Sequence, residues 1–521
     1  MQKENKYTGE EIENLQSLAA DHLFMHAMQT NDWIENGLQM YDSGKGSWVK
    51  DLEGNEYLDM MGGLWYKSTG YGQQAIAEAV YKQISELSSP PAYSTTPSTV
   101  KLSAEISTIY HDKKCRTFFT SGGSESVETA VKMAKKYQHL NGKPKAFKII
   151  SRRFSYHGST SMAVSLGRAS YSDPMGPEAP GAVYMPNYDA YRPPIPGNPS
   201  PDQISEWLVK ELENIIIHND PETIAAFIAE PVSTSAGIHI APKSYWEGIR
   251  EVTKKYGILM IADEVITGYG RLGEWFGTMV WDVKPDITTT AKALTSGYIP
   301  LGAVIASENV ANAFVGGKKE TFSHLITFGG HPVGTAAALA NLKIMKEEKL
   351  VENSKKMGIY VFEELQKLLS MKYVGDVRGG KGLLATVELV KDKDTKEKLV
   401  VYQSPTCGCC SGWVANMEQN GLNVEAIKTN DMYSTKVKAG IDVTLQSCHT
   451  GFIEGYFVEG HVPYDAITKL LSERPDIKGI TVPGMPSGSN VPGMEVINEK
   501  AIFDVLAVNN DGSTFVWKHY E

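Results

Sequence analysis

Two acids and a lysine set the chemistry open to this chain. Residues 258–262 read ILMIA, an unbroken apolar run, and Asp263 and Glu264 follow at once. A short run of that kind is a strand buried on both faces of a parallel sheet. Asp263 then stands at the strand's carboxyl end, where open α/β sheets place their ligands. Residues 287–290 read as another short strand, and Lys292 comes just after it. An acid and a lysine thus leave two strands at the same edge of one sheet. A lysine there can form a Schiff base, and an acid there can pair with a protonated ring nitrogen. Those are the two fixed points that a protein supplies to pyridoxal phosphate (PLP).

Other residues join that edge. Thr120-Ser121-Gly122-Gly123-Ser124 ends one strand and opens a helix whose apolar face is Val127, Ala130, Val131 and Ala134. Glycines at a helix start expose backbone N–H groups to an anion, and the helix dipole adds to the attraction. Ser155-Tyr156-His157-Gly158 follows another strand end. Tyr156 can stack on a flat ring, and His157 can orient a carboxylate or a phenol. Glu230 closes AAFIAE just before Pro231. Taken singly, each of these is an ordinary packed or solvated loop residue; taken together they make a PLP site.

The elements that must hold them alternate in type. From about residue 75 to 300, strands at 116–120, 147–151, 225–229, 258–262, 287–290 and 304–307 are separated by helical stretches. That order predicts a parallel sheet with helices on both faces. A helix at 244–256 is closed by Gly257. Residues 174–201, rich in Pro, Gly and Tyr, read as a long loop. Before these come a helical start and a short β-rich entry (SWVKDLEGNEYLDM) followed by a glycine-rich loop at 62–72. After them come helices at 334–348 and 351–370.

The chain has 521 residues, 42% hydrophobic and 21% charged, with a net charge of −10. This is ordinary globular composition, and the negative balance argues against nucleic acid or an anionic membrane as partner. No stretch approaches the ~20 apolar residues of a membrane helix. The polar start MQKENKYTGEEIENLQ has no signal-peptide core, so a cytoplasmic protein is expected. Of the five cysteines, Cys115 is alone, and Cys407, Cys409, Cys410 and Cys448 fall in the last quarter. In a reducing compartment this clustering suggests metal or redox chemistry over a structural disulfide. A charged run, KDKDTKEK at 391–398, precedes them and reads as a solvated turn or a junction. Beyond it the order is strand (399–402), cysteine turn (406–410), helix (411–419) and strand (424–428), the way a thioredoxin-like domain begins.

SGGSESVETAVKMA, SYHGST, IAEPV, IADEVITGYGRLGEWFG, TTTAKALTSGYIPLGA and ITFGGHPVGTAAALANL occur in this order. With them, residues 20 to about 390 resemble the class III aminotransferases, PLP enzymes of fold type I. DEVITGYGR with AKALTSGYIPLG is most similar to the branch that moves amino groups from ω-amino acids, taurine or simple amines to pyruvate. The resemblance implies an α/β fold: an N-terminal small-domain segment at 1–60, a PLP-binding large domain at 61–305 and a partial small domain at 306–395. It implies that Lys292 carries the cofactor and moves the proton, and that Asp263 holds the pyridinium. Val265 and Tyr156 would take opposite faces of the ring, Gly123 and Ser124 the phosphate, and Thr327 would complete that phosphate site in the partner of a homodimer. Trp65 and Tyr93 would line the substrate pocket. The segment that completes the small domain in the family, with its carboxylate-binding arginine, has no counterpart here.

Residues 399–521 resemble small CopG-like metal-binding proteins linked to copper resistance, through VYQSPTCGCCSGWVANMEQNG, LQSCHTGFIEGYFVEGHVP, LLSERPDIKGITVPGMPSGS and PGME. A thioredoxin-like domain at 396–521 follows, with Cys407, Cys409, Cys410 and Cys448 holding Cu(I) or another soft metal. A redox pair of Cys407 and Cys410 at C-x-x-C spacing is the competing reading. For the whole chain two functions stand. One is an amine or ω-amino acid:2-oxo acid aminotransferase fused to a metal module. The other is a metal-binding scaffold whose enzyme half binds PLP without efficient turnover.

Overall fold

The computed structural model describes residues 6–167, 178–195, 199–390, 398–473, 475–496 and 498–521. The charged run at 391–397 and part of the 174–201 stretch lie outside them. Among the described residues no helix is long and apolar enough to cross a membrane.

The large sheet has seven strands: β1 (Arg116–Thr120), β2 (Lys148–Arg152), β3 (Ala182–Met185), β4 (Ile224–Ala229), β5 (Leu259–Asp263), β6 (Ile287–Thr290) and β7 (Gly302–Ala306). Their order across the sheet is β1-β7-β6-β5-β4-β2-β3. Two points differ from the expected all-parallel array. β7 runs antiparallel to both β1 and β6. The stretch read as a loop contains the edge strand β3, which pairs parallel with β2; its AVYM is too short and too richly flanked by Pro and Gly to show an alternation. Every strand but β7 points the same way, so the carboxyl ends of β1, β2, β4, β5 and β6 share one edge.

The core follows from the apolar runs. Along β4 and β5, Phe227, Ala229 and Met260 face one helical layer, and Ile228, Leu259 and Ile261 face the other. Helices Pro201–His218 and Lys243–Lys255 cover the first face. Helix α1 (Gly123–Leu140) covers the second with Val127, Ala130, Val131 and Ala134, the four positions that its 3.6-residue period picks out. Gln138 of α1 donates to the carbonyls of Ala225 (3.0 Å) and Gly257 (2.9 Å), tying helix to sheet.

A second seven-stranded sheet is built from β8 (Lys398–Gln403), β9 (Asn423–Lys428), β10 (His449–Ile453), β11 (Tyr456–Glu459), β12 (Ile477–Thr481), β13 (Phe503–Asn509) and β14 (Thr514–Tyr520), in the order β9-β8-β10-β11-β12-β13-β14. β8 and β9 are parallel and are joined through α2 (Gly408–Gln419), whose N-cap is Cys407. The strand–cysteine turn–helix–strand order is as expected. Trp413, Met417, Leu399, Val458 and Ile480 fill a separate core there. Met485, beyond β12, is exposed.

Between the two sheets in chain order comes a two-stranded ribbon, Val374–Arg378 with Thr386–Leu389. Its turn packs on the loop after β5. Gly382 has φ +60°, and a Cβ there would lie 2.2 Å from the Arg271 carbonyl oxygen and 2.4 Å from the Leu272 carbonyl carbon. Both atoms are backbone, so neither yields cheaply. Gly382→Ala is therefore expected to destabilise the chain by more than ~1 kcal/mol, seen as a lower thermal midpoint of the aminotransferase portion. An unchanged midpoint would contradict this packing.

Candidate active site and metal centre

Asp263 is the last residue of β5 and stands opposite Thr289 of β6. Its carboxylate is buried, and three donors reach it. Thr289 Oγ1 (3.0 Å) and the Val265 N–H (3.1 Å) donate to Oδ1, and His157 Nδ1 lies 2.7 Å from Oδ2. Burial alone would push the His157 imidazole down; the charge of Glu230 and the hydrogen bond to Asp263 outweigh it and hold the ring's pKa up. Glu230 in turn faces Arg152 Nη2 at 2.8 Å and accepts from the Tyr156 N–H at 3.3 Å. Burial alone would raise the Glu230 carboxyl; His157 and Arg152 reverse that and lower it. Alternating charges thus run Arg152, Glu230, His157, Asp263 along the carboxyl edge of β2, β4 and β5.

Lys292 follows β6 in a single 3₁₀ turn and adopts φ +47°, a left-handed conformation that costs a non-glycine residue about 1 kcal/mol or more. Asn341 over-determines that turn: its Nδ2 donates to the carbonyls of Ala293 (2.9 Å) and Leu294 (3.1 Å), and its Oδ1 accepts from Ser296 Oγ at 2.7 Å. Burial pushes the Lys292 amine down to about 8; Asp263 opposes this and Arg271 adds to it. The Arg271 guanidinium contacts the Leu383 carbonyl at 3.3 Å, and among the described residues its buried Nε has no hydrogen-bond partner. Trp65 closes the other side, its ring centroid 5.5 Å from Lys292 Nζ.

The start of α1 completes the edge. Gly122 caps it without a side-chain bond, and a Cβ on Gly122 would meet nothing within 4 Å. A Cβ on Gly123 would come within 3.0 Å of a Val265 methyl. Ser124 Oγ accepts from the Ser159 N–H at 3.0 Å, which holds the Tyr156 loop against α1, and Tyr156 Oη lies 2.9 Å from Ser159 Oγ. The structure thus gathers Asp263, His157, Glu230, Val265, Gly123, Ser124, Tyr156, Lys292 and Trp65. Thr327 and Tyr93 stand apart on the surface, Tyr93 at 99% exposure.

These residues fit PLP. Among the described residues His157 Nε2 is buried with no hydrogen-bond partner and nothing lies within 4 Å of a Cβ placed on Gly122, and the Asp263 oxygens retain acceptor capacity for a ring N–H. Three contributors went unread in the sequence. Thr289 belongs to an ITTT run that looks like plain strand. Asn341 lies in the apolar helix Pro332–Glu347. Glu264 was seen only as Asp263's neighbour. It is fully buried and takes Thr267 Oγ1 (2.5 Å), the Gly277 N–H (2.7 Å), the Thr278 N–H (2.8 Å) and Thr278 Oγ1 (3.0 Å), fixing the loop that carries Arg271; burial holds its pKa up against these four donors.

In the C-terminal sheet, Cys407, Cys409, Cys410 and Cys448 bring their sulfurs within 4.8 Å of one another, and all are free thiols. Cys407 and Cys409 Sγ are 3.2 Å apart. Cys448 Sγ lies 3.3 Å from His449 Nδ1 and 3.1 Å from His461 Nε2. Cys410 is fully buried. Its hydrogen bond to Cys448 raises its own pKa and lowers that of Cys448, which His449 and His461 also favour as thiolate. His461 is the ligand-type residue that sequence reading missed. It is thirteen residues from Cys448, outside any compact motif, and only the pairing of β10 with β11 brings it back. Its Nδ1 is held by the Pro492 carbonyl at 2.7 Å, which leaves Nε2 toward the sulfur.

The depressed Lys292 amine gives a pH prediction. The neutral, nucleophilic form dominates above about pH 8. In apoprotein, the rate of PLP capture followed by visible absorbance should rise with pH and level off above about 8. A profile still rising toward the ordinary lysine value of ~10.4 would contradict the burial described.

Comparison with known proteins agrees with this geometry. Residues 30–436 match the family model for aminotransferase class-III, and residues 445–494 match one described as a protein of unknown function, DUF411. The chain is 36% identical over 398 residues to a putrescine–pyruvate aminotransferase of Pseudomonas aeruginosa, covering 76% of this chain and 86% of that protein. It is 38% identical over 382 residues to gamma aminobutyrate transaminase 2 of Solanum lycopersicum, covering 72% and 82%. The crystal structure of an (S)-enantioselective omega-transaminase from Thermomicrobium roseum superposes with a TM-score of 0.71 at 38% identity, over 79% of this chain and 90% of that one. With the PLP-type edge of its large sheet, the chain belongs to the class III aminotransferases, PLP-dependent enzymes of fold type I that transfer amino groups.

Proposed function

We propose that this aminotransferase takes an amino group from a primary amine or ω-amino acid and delivers it to a 2-oxo acid such as pyruvate, working as a homodimer. The observation that carries the chemistry is Lys292 and Asp263 meeting at one edge across β5 and β6, one as a depressed amine and the other as a buried carboxylate. Bound there, PLP supplies the electron sink that lets a proton leave the substrate carbon. Lys292 anchors the cofactor, and its Nζ, neutral above about pH 8, takes and returns that proton. Asp263 holds negative charge against the ring nitrogen, and His157 keeps its carboxylate in place. Tyr156 and Val265 cover the ring faces, while Gly123 and Ser124 hold the phosphate at the start of α1. Thr327 and Tyr93, exposed on the single chain, act once the dimer has formed, Thr327 at the partner's phosphate site and Tyr93 with Trp65 at the substrate pocket. The donor and acceptor classes rest on the putrescine–pyruvate and gamma aminobutyrate relatives. The dimer is supported by apolar side chains left on the surface of the single chain: Phe24, Met60, Tyr93, Leu325 and Phe328 are all more than half exposed.

The test is a half-reaction. The cofactor's visible absorbance should fall when a diamine or ω-amino acid is added and return with pyruvate. Lys292→Ala should lose turnover by at least ~10⁴-fold, beyond what positioned acid–base catalysis alone contributes, with the thermal midpoint retained. Absorbance that no amine donor changes would favour the scaffold reading.

For the C-terminal sheet we propose a soft-metal site for Cu(I), formed by Cys407, Cys409, Cys410 and Cys448 with His461 beside them, in a thioredoxin-like domain that begins near Lys398. Thiolates and imidazole suit Cu(I) or Zn²⁺ over hard cations. The full-length chain should compete with a Cu(I) chelator of known affinity, and Cys409→Ser combined with Cys448→Ser should bind at least tenfold more weakly. Equal binding by both proteins would refute the site. A reversible Cys407–Cys410 disulfide without metal uptake would identify a redox pair.

A further inference from the structure

Behind the cysteine cluster lies an ion pair with no solvent. Lys436, on the helix Met432–Lys438, is 6% exposed, and its partner Glu459, the last residue of β11, is 0% exposed. Lys436 Nζ contacts Glu459 Oε1 and donates to Thr450 Oγ1 at 3.1 Å. The Glu459 carboxylate is also filled from β10 and the residues before it. The Ser447 N–H donates to Oε1 at 2.5 Å, and Thr450 Oγ1 donates to Oε2 at 2.6 Å. Ser447 and Thr450 flank Cys448 and His449 on either side. One carboxylate therefore clamps the chain immediately before and immediately after the two ligand-type residues. The same strand end continues through Gly460, whose N–H donates to the His449 carbonyl at 2.9 Å, into His461.

A buried pair of this kind is seldom kept for stability, because desolvating both charges offsets most of their attraction. Its four contacts converge on the Cys448 turn. Resting on the soft-metal reading above, we infer that Glu459, neutralised by Lys436, is the positioning residue that presents Cys448 and His461 to the thiols at the start of α2. Three thiols come from one turn, Cys407 to Cys410. The fourth arrives from a distant strand and needs a fixed support if the site is to be formed before the ion enters. Ser447 and Thr450 supply the struts, and Glu459 is the point to which both are fastened.

The test uses the full-length chain and Cu(I) itself, in competition with a chelator. Removing one charge alone would strand the other, so the pair is replaced whole. Lys436→Met with Glu459→Met keeps volume and removes every acceptor. Lys436→Met with Glu459→Gln also removes the charges but keeps an oxygen for Ser447. The first variant should bind Cu(I) at least tenfold more weakly, and the second should recover most of that loss. Thr450→Val cuts one strut with the ion pair intact and should weaken binding in the same direction, about threefold. In a Cys448→Ser background the Met–Met change should cost almost nothing further, since coupled residues are non-additive. A merely structural pair would give the same loss with or without Cys448. Wild-type-like Cu(I) binding by the Met–Met or Thr450→Val variants, or additive losses with Cys448→Ser, would overturn the positioning role while leaving the metal site standing. Absence of Cu(I) binding by the wild type would instead remove the metal reading on which it rests.

Discussion

A buried carboxylate is the constraint around which the large sheet is arranged. Asp263 is 4% exposed, and an isolated carboxylate at that depth would cost several kcal/mol or protonate. The fold prevents this from three directions at once. The β5–β6 register delivers Thr289, the turn after β5 delivers the Val265 N–H, and the loop after β2 delivers His157. His157 is itself buried and needs a second anion, Glu230, and Glu230 needs Arg152. Each member of the row is tolerable only because its neighbour has the opposite charge. That dependence fixes the relative placement of three strand ends, and so fixes where a ring lying against Asp263 must sit. Lys292 is the exception. It is half-buried, strained at φ +47°, and held by Asn341 without being neutralised. A site that needs one reactive amine keeps that group outside the compensated network.

The C-terminal sheet solves a similar problem with softer groups. Three of its thiols are drawn together at the start of α2, and Cys448, held between two imidazoles, is the one favoured as thiolate. Here too a fully buried acid, Glu459, organises the backbone next to the reactive group. In the site proposed for the large sheet the acid is itself the functional group; in the one proposed for the second sheet it stands one layer behind. The proposed ligands account for the difference: a pyridine nitrogen calls for a carboxylate, whereas a soft metal calls for sulfur and leaves the carboxylate free for support.

Much of this was legible from residue order. Residues 258–262 and 225–229 are apolar on both faces, so their burial and parallel pairing followed from pattern, and the acids at their ends, with the lysine after 287–290, marked the proposed site. What escaped depended on tertiary pairing or on weak local signals. The reversal of β7 is invisible because an unbroken apolar run such as GAVIA carries no signal of strand direction. β3 escaped because an edge strand of four residues in a Pro- and Gly-rich stretch has no period to detect. Thr289, Asn341 and Glu264 act through hydrogen bonds to groups distant in sequence or across a turn, and polar residues inside apolar elements carry no label of their own. His461 was missed for the same reason: its relation to Cys448 exists only once β10 and β11 pair.

The boundary between the two parts shows how family likeness and hydrogen bonding can divide a chain differently. The class III match continues to residue 436, whereas the sequence motifs fade near 390. β8 lies inside the disputed stretch, and it is an interior strand. It pairs with β9 through Val400 and Glu425 on one side and with β10 through Val400 and Phe452 on the other. A strand whose backbone is satisfied on both edges by one sheet has no N–H or C=O left to extend another. Leu399 and Val401 point their side chains into the core that contains Trp413 and Val458. Lys436, the last residue of the match, completes the buried pair with Glu459. By backbone pairing, core membership and charge compensation, residues 398–436 work for the second sheet. The ribbon at Val374–Leu389, by contrast, is fastened through Gly382 to the Arg271 loop of the aminotransferase part.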